Sequence, residues 1–382
     1  MKHFSFSIPQ NVYFGWGSLG DLSDVASKID AKKAFIVSGP HLKKAGYVDL
    51  CAEKLKQAGI DIESFTETEG NPSTDTVEKA AEKFKESGAQ MIVAFGGGSP
   101  LDVAKAVAVL GTYGGKITDY EGVGKVPGPV VPMLAIPTTA GTGSEVTSFS
   151  VITDHSRDYK LTVGSTYLLP EYVILDPELI TTVPMKTAAY CGVDAMVHAL
   201  ESYISLAASP FSEMMSLQAL ELIGANIKTY VEDRKDRKAA EAMLLGSLFA
   251  GIAFSHARLG DVHAMSHPVS AFFDVPHGLA NAVLLPTVVE FNCLADNGKY
   301  YEIYRRVAEN PVSEESFKPE MLAKELKNIN SSLGIPATLK EVGVDSSKFE
   351  EMATDAMKSG NISVNPRYTT KEDVLLMYNQ AY

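Results

Sequence analysis

The chain is expected to fold as an N-terminal α/β domain on a parallel sheet, over residues 1–183, followed by an all-α domain over 184–382. Three observations carry that expectation. Short apolar runs alternate with amphipathic stretches in the first half, which is the rhythm of βαβ units. The strand-like runs are apolar throughout rather than alternating, as strands buried on both faces are. From Pro184 onward the pattern changes to long Ala-, Leu- and Met-rich segments of helical period. The 382 residues also exceed the roughly 250–300 at which one core stops growing, so two domains are the default.

In order along the first half, AFIVS (34–38) reads as a strand and LKKAGYVDLCAEKLKQAG (42–59) as a helix. DIESF (61–65) reads as a strand, TDTVEKAAEKFKESG (74–88) as a helix and MIVAF (91–95) as a strand. In the second half, TAAYCGVDAMVHALESYIS, SEMMSLQALELIGANIKTYV and KAAEAMLLGSLFAGIAFSHA read as helices, with the charged VEDRKDRK (231–238) as a solvated junction. Pro311, Pro319 and Pro336 punctuate the remainder.

Composition narrows the function. A net charge of −13, with no basic run interleaved with aromatics, argues against nucleic acid and anionic membrane surfaces as partners. There is no uninterrupted apolar run of the ~18 residues that a membrane span needs. The opening MKHFSFSIPQ has no charged and apolar regions of a secretion signal. Cys51, Cys191 and Cys293 are odd in number and in no CxxC pair, which suits a reducing cytoplasm.

FGGGSPLDVAKA (95–106) places Gly97, Gly98 and Ser99 directly after a strand and before a helix. Glycines let a backbone approach a pyrophosphate, and a helix N-terminus supplies oriented N–H groups. Asp102, one turn on, is placed to accept from a ribose or carboxamide; the plainer account is compensation of the helix dipole. IPTTAGTGSEV (136–146) is dense in hydroxyls and backbone donors, including Thr138, Thr139 and Thr142, and suits phosphate and ribose oxygens. Lys160, on the strand-like DYKLTVG, is either a partner for them or an ordinary surface lysine. Strand AFIVS ends in Ser38-Gly39, where an acidic residue would accept from a ribose 2′-hydroxyl and repel a 2′-phosphate. Gly39, with Lys43 and Lys44 just beyond, is either a simple turn or a place that tolerates the 2′-phosphate of NADP.

The chemistry is expected at Asp194, His198, His263 and His277. Asp194 and His198 are four residues apart, so a helix sets them one turn from each other on one face. Charged and imidazole groups on apolar helices need a partner, and a divalent cation is one. One carboxylate with three imidazoles suits Fe2+ or Zn2+. His277 follows Pro276 at a helix start, where the dipole favours the neutral ring. His267 shares the face of His263 and is assigned to the cofactor or a proton path. His3, His41 and His155 are read as surface or loop residues, and His256 as structural.

GGGSPLDVAKA, PTTAGTGSE, GVDAMVHALE, HAMSHP, PHGLANAVLLP and the terminal NPRYTTKEDVLLMYNQAY together resemble the iron-containing (group III) alcohol dehydrogenases, over essentially the whole chain. The resemblance implies a Rossmann-like first domain, a helical second domain and an active site in the cleft between them. It carries the metal role onto Asp194, His198, His263 and His277, and a role near the nicotinamide onto His267. Cofactor contacts carry over to Asn71, Gly97, Gly98, Ser99, Asp102, Thr138, Thr139, Thr142 and Lys160. Two positions depart from the pattern: Gly39 stands where NAD-preferring relatives often have Asp, and Thr287 replaces a frequent His.

The reading that follows is a metal-dependent NAD(P) alcohol dehydrogenase or aldehyde reductase, with Fe2+ or Zn2+, an inclination to NADP and a small alcohol, aldehyde or diol as substrate. A cytoplasmic homodimer or larger homo-oligomer is expected. One rival is a dehydroquinate-synthase-like lyase that uses NAD transiently, but its phosphorylated substrate would need basic residues that the metal motifs lack. The other is a non-catalytic nucleotide-binding or filament subunit, against which all four ligand positions are present.

Overall fold

A computed structural model describes residues 3–382. The chain divides into two compact units: Ile8–Thr139 with Ser144–Thr182, and Val183–Tyr382 with residues 3–7 and Ala140–Gly143. A division at 183/184 therefore puts residues 3–7 and 140–143 on the other side of the boundary from the helices that they pack with.

The first unit carries β1 (Asn11–Phe14), α1 (Leu22–Ala26), β2 (Lys33–Val37), α2 (Pro40–Lys44), α3 (Tyr47–Gln57), β3 (Asp61–Phe65), α4 (Thr74–Ser87), β4 (Met91–Gly96) and α5 (Gly98–Tyr113). Then come β5 (Gly122–Val123), β6 (Met133–Pro137), β7 (Phe149–Asp154), β8 (Tyr159–Gly164) and β9 (Tyr172–Leu175). Six strands pair in the order β1-β9-β6-β4-β2-β3, every pair parallel. The predicted fold class is borne out. Residues alternate between two cores: Ala34, Ile36, Met91, Val93, Leu134 and Ile136 in one, Phe35, Val37, Ile92, Ala94, Met133 and Ala135 in the other. That is why the strands read as continuous apolar runs, since helices cover both faces.

Two features were not legible. The single helix expected over 42–59 is broken into α2 and α3 at Gly46, which lies in the left-handed region at φ 82. The second, three-stranded sheet, in which β7 and β8 run antiparallel, has no counterpart in the βαβ reading. It seats Lys160 on β8, and its neighbour β7 pairs through Thr153 with the 71–73 loop.

In the six-stranded sheet β3 extends to one side of β2 and β4 to the other, so the strand order reverses between β2 and β4. Ligands of such sheets bind beyond the carboxyl ends of the strands at that reversal. Ser38-Gly39 follows β2 there, and Gly97-Gly98-Ser99 follows β4.

The second unit is helical: α6 (Met185–Ile204), α7 (Pro210–Glu232), α8 (Arg237–Ala257), α9 (Asp261–Phe273), α10 (His277–Asn292), α11 (Lys299–Val307), α12 (Glu320–Ser332), α13 (Phe349–Ala356) and α14 (Lys371–Gln380). VEDRKDRK spans the α7–α8 junction, as expected. Arg237–Ala257 and His277–Ala295 are long and apolar enough to cross a membrane by length and composition, yet 67% of each apolar window is buried inside the protein. They are core helices. The His256 ring lies tilted against that of Phe6, with centroids 4.5 Å apart, and contacts the Ser7 carbonyl oxygen at 3.1 Å.

Candidate active site

In the helical unit, α6 sets Asp194 and His198 one turn apart, α9 supplies His263, and His277 is the first residue of α10. One oxygen, Asp194 Oδ1, is the common point. It lies 3.8 Å from His198 Nε2, 3.8 Å from His263 Nε2 and 4.0 Å from His277 Nε2. The ligand atoms of Asp194, His263 and His277 all fall within 4.8 Å of one another. Donors around a tetrahedral ion with ~2.1 Å bonds sit about 3.4 Å apart, so the three distances to Asp194 Oδ1 are roughly half an ångström longer than in a bound set, and the wider separations within the group would close further on an ion.

The tautomers are set from outside. His198 Nδ1 donates to the Gly141 carbonyl at 3.2 Å, and His263 Nδ1 to Glu201 Oε2 at 2.6 Å. In each ring the Nε2 lone pair is left facing Asp194, the arrangement in which a ligating histidine is held by an outer partner. Burial, and next the neighbouring His198, push the His263 imidazole down to about 3, so the ring is neutral. Burial also lifts the Glu201 carboxyl to about 7. Asp194 is buried, and among the described residues no lysine or arginine pairs with it. A buried carboxyl group with imidazole nitrogens around it, and no lysine or arginine beside it, calls for a cation. The residues present fit a divalent cation.

His267, one turn along α9 from His263, is not in the carboxylate cluster: its ring lies 5.3 Å from that of His277 and 6.3 Å from that of His263. His267 and His277 are the partly exposed members, whereas Asp194, His198 and His263 are buried. Phe254 of α8 stacks on His198 at 4.4 Å and forms an apolar wall.

The nucleotide residues of the α/β unit are organised separately. Gly97 caps α5 without a side-chain bond, so the helix's first N–H groups are not taken by a cap. A Cβ on Gly96 would stand 2.6 Å from the Pro100 ring, and one on Gly97 3.3 Å from Thr139, so these glycines allow close approach. The Thr138 N–H donates to the Gly96 carbonyl. Lys160 Nζ donates to Asn71 Oδ1 at 2.7 Å, and Asn71 is held left-handed at φ 51. Asp102 is spent within the protein: Oδ1 accepts from Ser144 Oγ at 2.6 Å and Oδ2 from the Val151 N–H at 3.0 Å. Buried Lys105 bonds Ser144 Oγ, Thr147 Oγ1 and the carbonyls of Thr147 and Phe149, tying down the segment after the hydroxyl-rich loop.

Thr142 lies in the short stretch Ala140–Gly143 of the helical unit. A Cβ on Gly141 would meet Cys191 at 2.7 Å, and one on Gly143 would meet Gly251 Cα at 2.7 Å. The loop's glycines thus serve backbone packing as well as any ligand. Gly39 has an extended backbone, and a Cβ there would meet the Thr68 carbonyl at 3.2 Å. Lys43 is paired with Asp49.

A parallel sheet with glycine loops at its reversal point, and a helical unit with one carboxylate and three imidazoles, suit a metal-dependent nicotinamide oxidoreductase. Residues 9–177 match the family described as iron-containing alcohol dehydrogenase, and residues 188–382 the C-terminal part of the Fe-containing alcohol dehydrogenase family. The NAD-dependent methanol dehydrogenase of Bacillus methanolicus is 34% identical, covering 99% of this chain and 99% of that one. The NADPH-dependent butanol dehydrogenase of Clostridium saccharobutylicum is 34% identical over 99% of this chain and 97% of its own. The crystal structure of a 1,3-propanediol oxidoreductase superposes over 100% of both chains, with a TM-score of 0.94 and 34% identity. The chain belongs to the iron-containing alcohol dehydrogenase family, and it is an alcohol/aldehyde oxidoreductase. The family works with a metal ion and a nicotinamide coenzyme on small alcohols and aldehydes.

Glu201, Asn281, Lys105 and the Gly141 carbonyl were missed in the sequence. Glu201 and Asn281 lie three and four residues after named ligands, a helical spacing that was available as a signal.

Proposed function

We propose that Asp194, His198, His263 and His277 hold one Fe2+, or Zn2+ in its place, and that the enzyme reduces small aldehydes and oxidises the matching primary alcohols or diols with NADP(H). The observation that carries this is the convergence of three imidazole Nε2 atoms on Asp194 Oδ1. When bound, the cation supplies the Lewis acidity that lowers the pKa of an alcohol hydroxyl and polarises a carbonyl. The coenzyme supplies or accepts the hydride.

The protein's own residues bind, orient and carry the proton. Asn71, Gly97, Gly98, Ser99, Thr138, Thr139, Thr142 and Lys160 hold the dinucleotide, with Asp102 acting behind them. Ser99 and the first N–H groups of α5 take the pyrophosphate. Asp102 shapes the loop through Ser144 rather than by an unspent carboxylate. Gly39 leaves room beside the adenosine ribose for a 2′-phosphate; with Lys43 paired to Asp49, that preference comes from the missing acidic side chain. His267, partly exposed beside His277, takes the hydroxyl proton towards solvent. Phe254 limits the size of the substrate.

Residues 1–183 then serve chiefly the coenzyme and 184–382 the metal and substrate, in a cytoplasmic homodimer or larger assembly. The odd number of cysteines, with no CxxC pair, supports the reducing compartment. Elemental analysis of anaerobically purified protein, with NADPH- and NADH-linked assays on C2–C4 aldehydes, diols and lactaldehyde, tests the reading. About one metal per chain and faster turnover with NADPH support it. Full activity after exhaustive chelation, or in His263→Ala, would overturn it.

A further inference from the structure

Asn281 stands one turn after His277 on α10 and is fully buried. Its carboxamide nitrogen is 2.6 Å from Asp194 Oδ1, 3.1 Å from His263 Nε2 and 3.1 Å from His277 Nε2. These are three of the four atoms assigned to the metal. The other end of the amide, Oδ1, is buried without a hydrogen-bond partner among the described residues.

The two ends decide the orientation together. Turned over, the amide would set Oδ1 against a carboxylate oxygen and the His263 Nε2 lone pair, which the Nδ1 bond to Glu201 leaves as an acceptor. As it stands, the N–H end meets both of these, with His277 Nε2 at 3.1 Å as well, and the unfavourable burial falls on Oδ1. An apolar side chain would fill this space without stranding a polar atom, and a stranded acceptor carries a desolvation cost. The amide is thus placed for what its NH2 group faces. It has two hydrogens for these contacts, with the shortest approach to the one anionic oxygen.

We propose that Asn281 is a positioning residue for the metal ligands: its NH2 group takes the cation's electrostatic place in the metal-free chain and keeps Asp194, His263 and His277 converged. This rests on the metal-site reading above. The role needs no bond from Asn281 to the metal. It lowers the reorganisation that ion capture requires, because the lone pairs already face a common centre.

The test compares wild type, Asn281→Ala and the near-isosteric Asn281→Asp after chelator dialysis, using Zn2+ alone as the probe. Affinity is read by competition with a chromophoric chelator, and melting is followed with and without Zn2+. Asn281→Ala is expected to bind Zn2+ about 10–100-fold more weakly, the usual loss for an outer partner of a metal ligand. Asn281→Asp puts an acceptor where the donor stood, so its metal-free form should melt below wild type, while Zn2+ should raise its midpoint by more. Affinity in Asn281→Ala within threefold of wild type, with metal-free Asn281→Asp melting like wild type, would overturn the proposal and leave Asn281 as filling. Absence of Zn2+ binding by wild type itself would instead overturn the metal-site reading, and this proposal with it.

Discussion

His263 Nδ1 and Glu201 Oε2 are 2.6 Å apart, both side chains buried, and the second Glu201 oxygen accepts the Val262 N–H at 2.7 Å. One carboxylate therefore fixes both the ring and the first turn of the helix that carries it. Glu201→Gln keeps the volume and removes the anionic acceptor. Metal affinity should fall about 10–100-fold, measured by chelator competition. If affinity is unchanged, Glu201 serves only the first turn of α9.

Gly39→Asp introduces an anion where a 2′-phosphate is proposed to lie. The kcat/KM for NADPH should drop about tenfold or more, as like charges set side by side are disfavoured, while that for NADH holds or rises. The new Cβ must ease past the Thr68 carbonyl at 3.2 Å, so a small fall in Tm should accompany the switch. Unaltered NADPH kinetics would show that coenzyme choice is made elsewhere.

Burial raises the Glu145 carboxyl from 4.5 to about 7. Below pH 4.5 the group is protonated in folded and unfolded chains alike, and its contribution is fully present. As pH rises from there to about 7, only the unfolded chain ionises, and stability is lost across that window. Glu145→Gln should therefore match wild type near pH 4 and melt higher at pH 8. Parallel Tm profiles for the two proteins between pH 4 and 8 would refute this.

Gly143 has φ +62, and a Cβ there would stand 2.7 Å from Gly251 Cα, backbone against backbone. Gly143→Ala adds left-handed strain of ~1–2 kcal/mol and an overpacking cost of similar size. A denaturant midpoint well below that of Gly20→Ala, where no atom lies within 4 Å, is the expected outcome. Equal midpoints would mean that the 140–143 stretch yields readily.

The most legible parts of the sequence were those with a fixed period. Asp194 and His198 could be paired because four residues make one helical turn, and β2 and β4 could be found because a doubly covered strand is apolar at nearly every position. Glu201 and Asn281 obey the same helical period but escaped, since glutamate and asparagine are ordinary on solvated helix faces and only burial marks them. Gly46 split one expected helix because a single left-handed residue leaves the flanking amphipathic pattern intact. The β7–β8 hairpin escaped because its pairing depends on the turn through Asp158, at φ 46, rather than on any run of side chains. Asp102 and Ser144 are 42 residues apart, and nothing local announces their bond.

The carbonyl that orients His198 belongs to Gly141, in the four-residue stretch that the chain lends from its α/β half to its helical unit. Recombination between relatives must respect that loan. A hybrid joined at 183/184 would inherit the ligand from one parent and its orienting loop from the other, with Gly141 fitted against a foreign Cys191 position. Exchanging residues 140–143 together with the helices keeps the pair of one ancestry, so the inheritable module for the proposed metal site is a discontinuous piece of the gene.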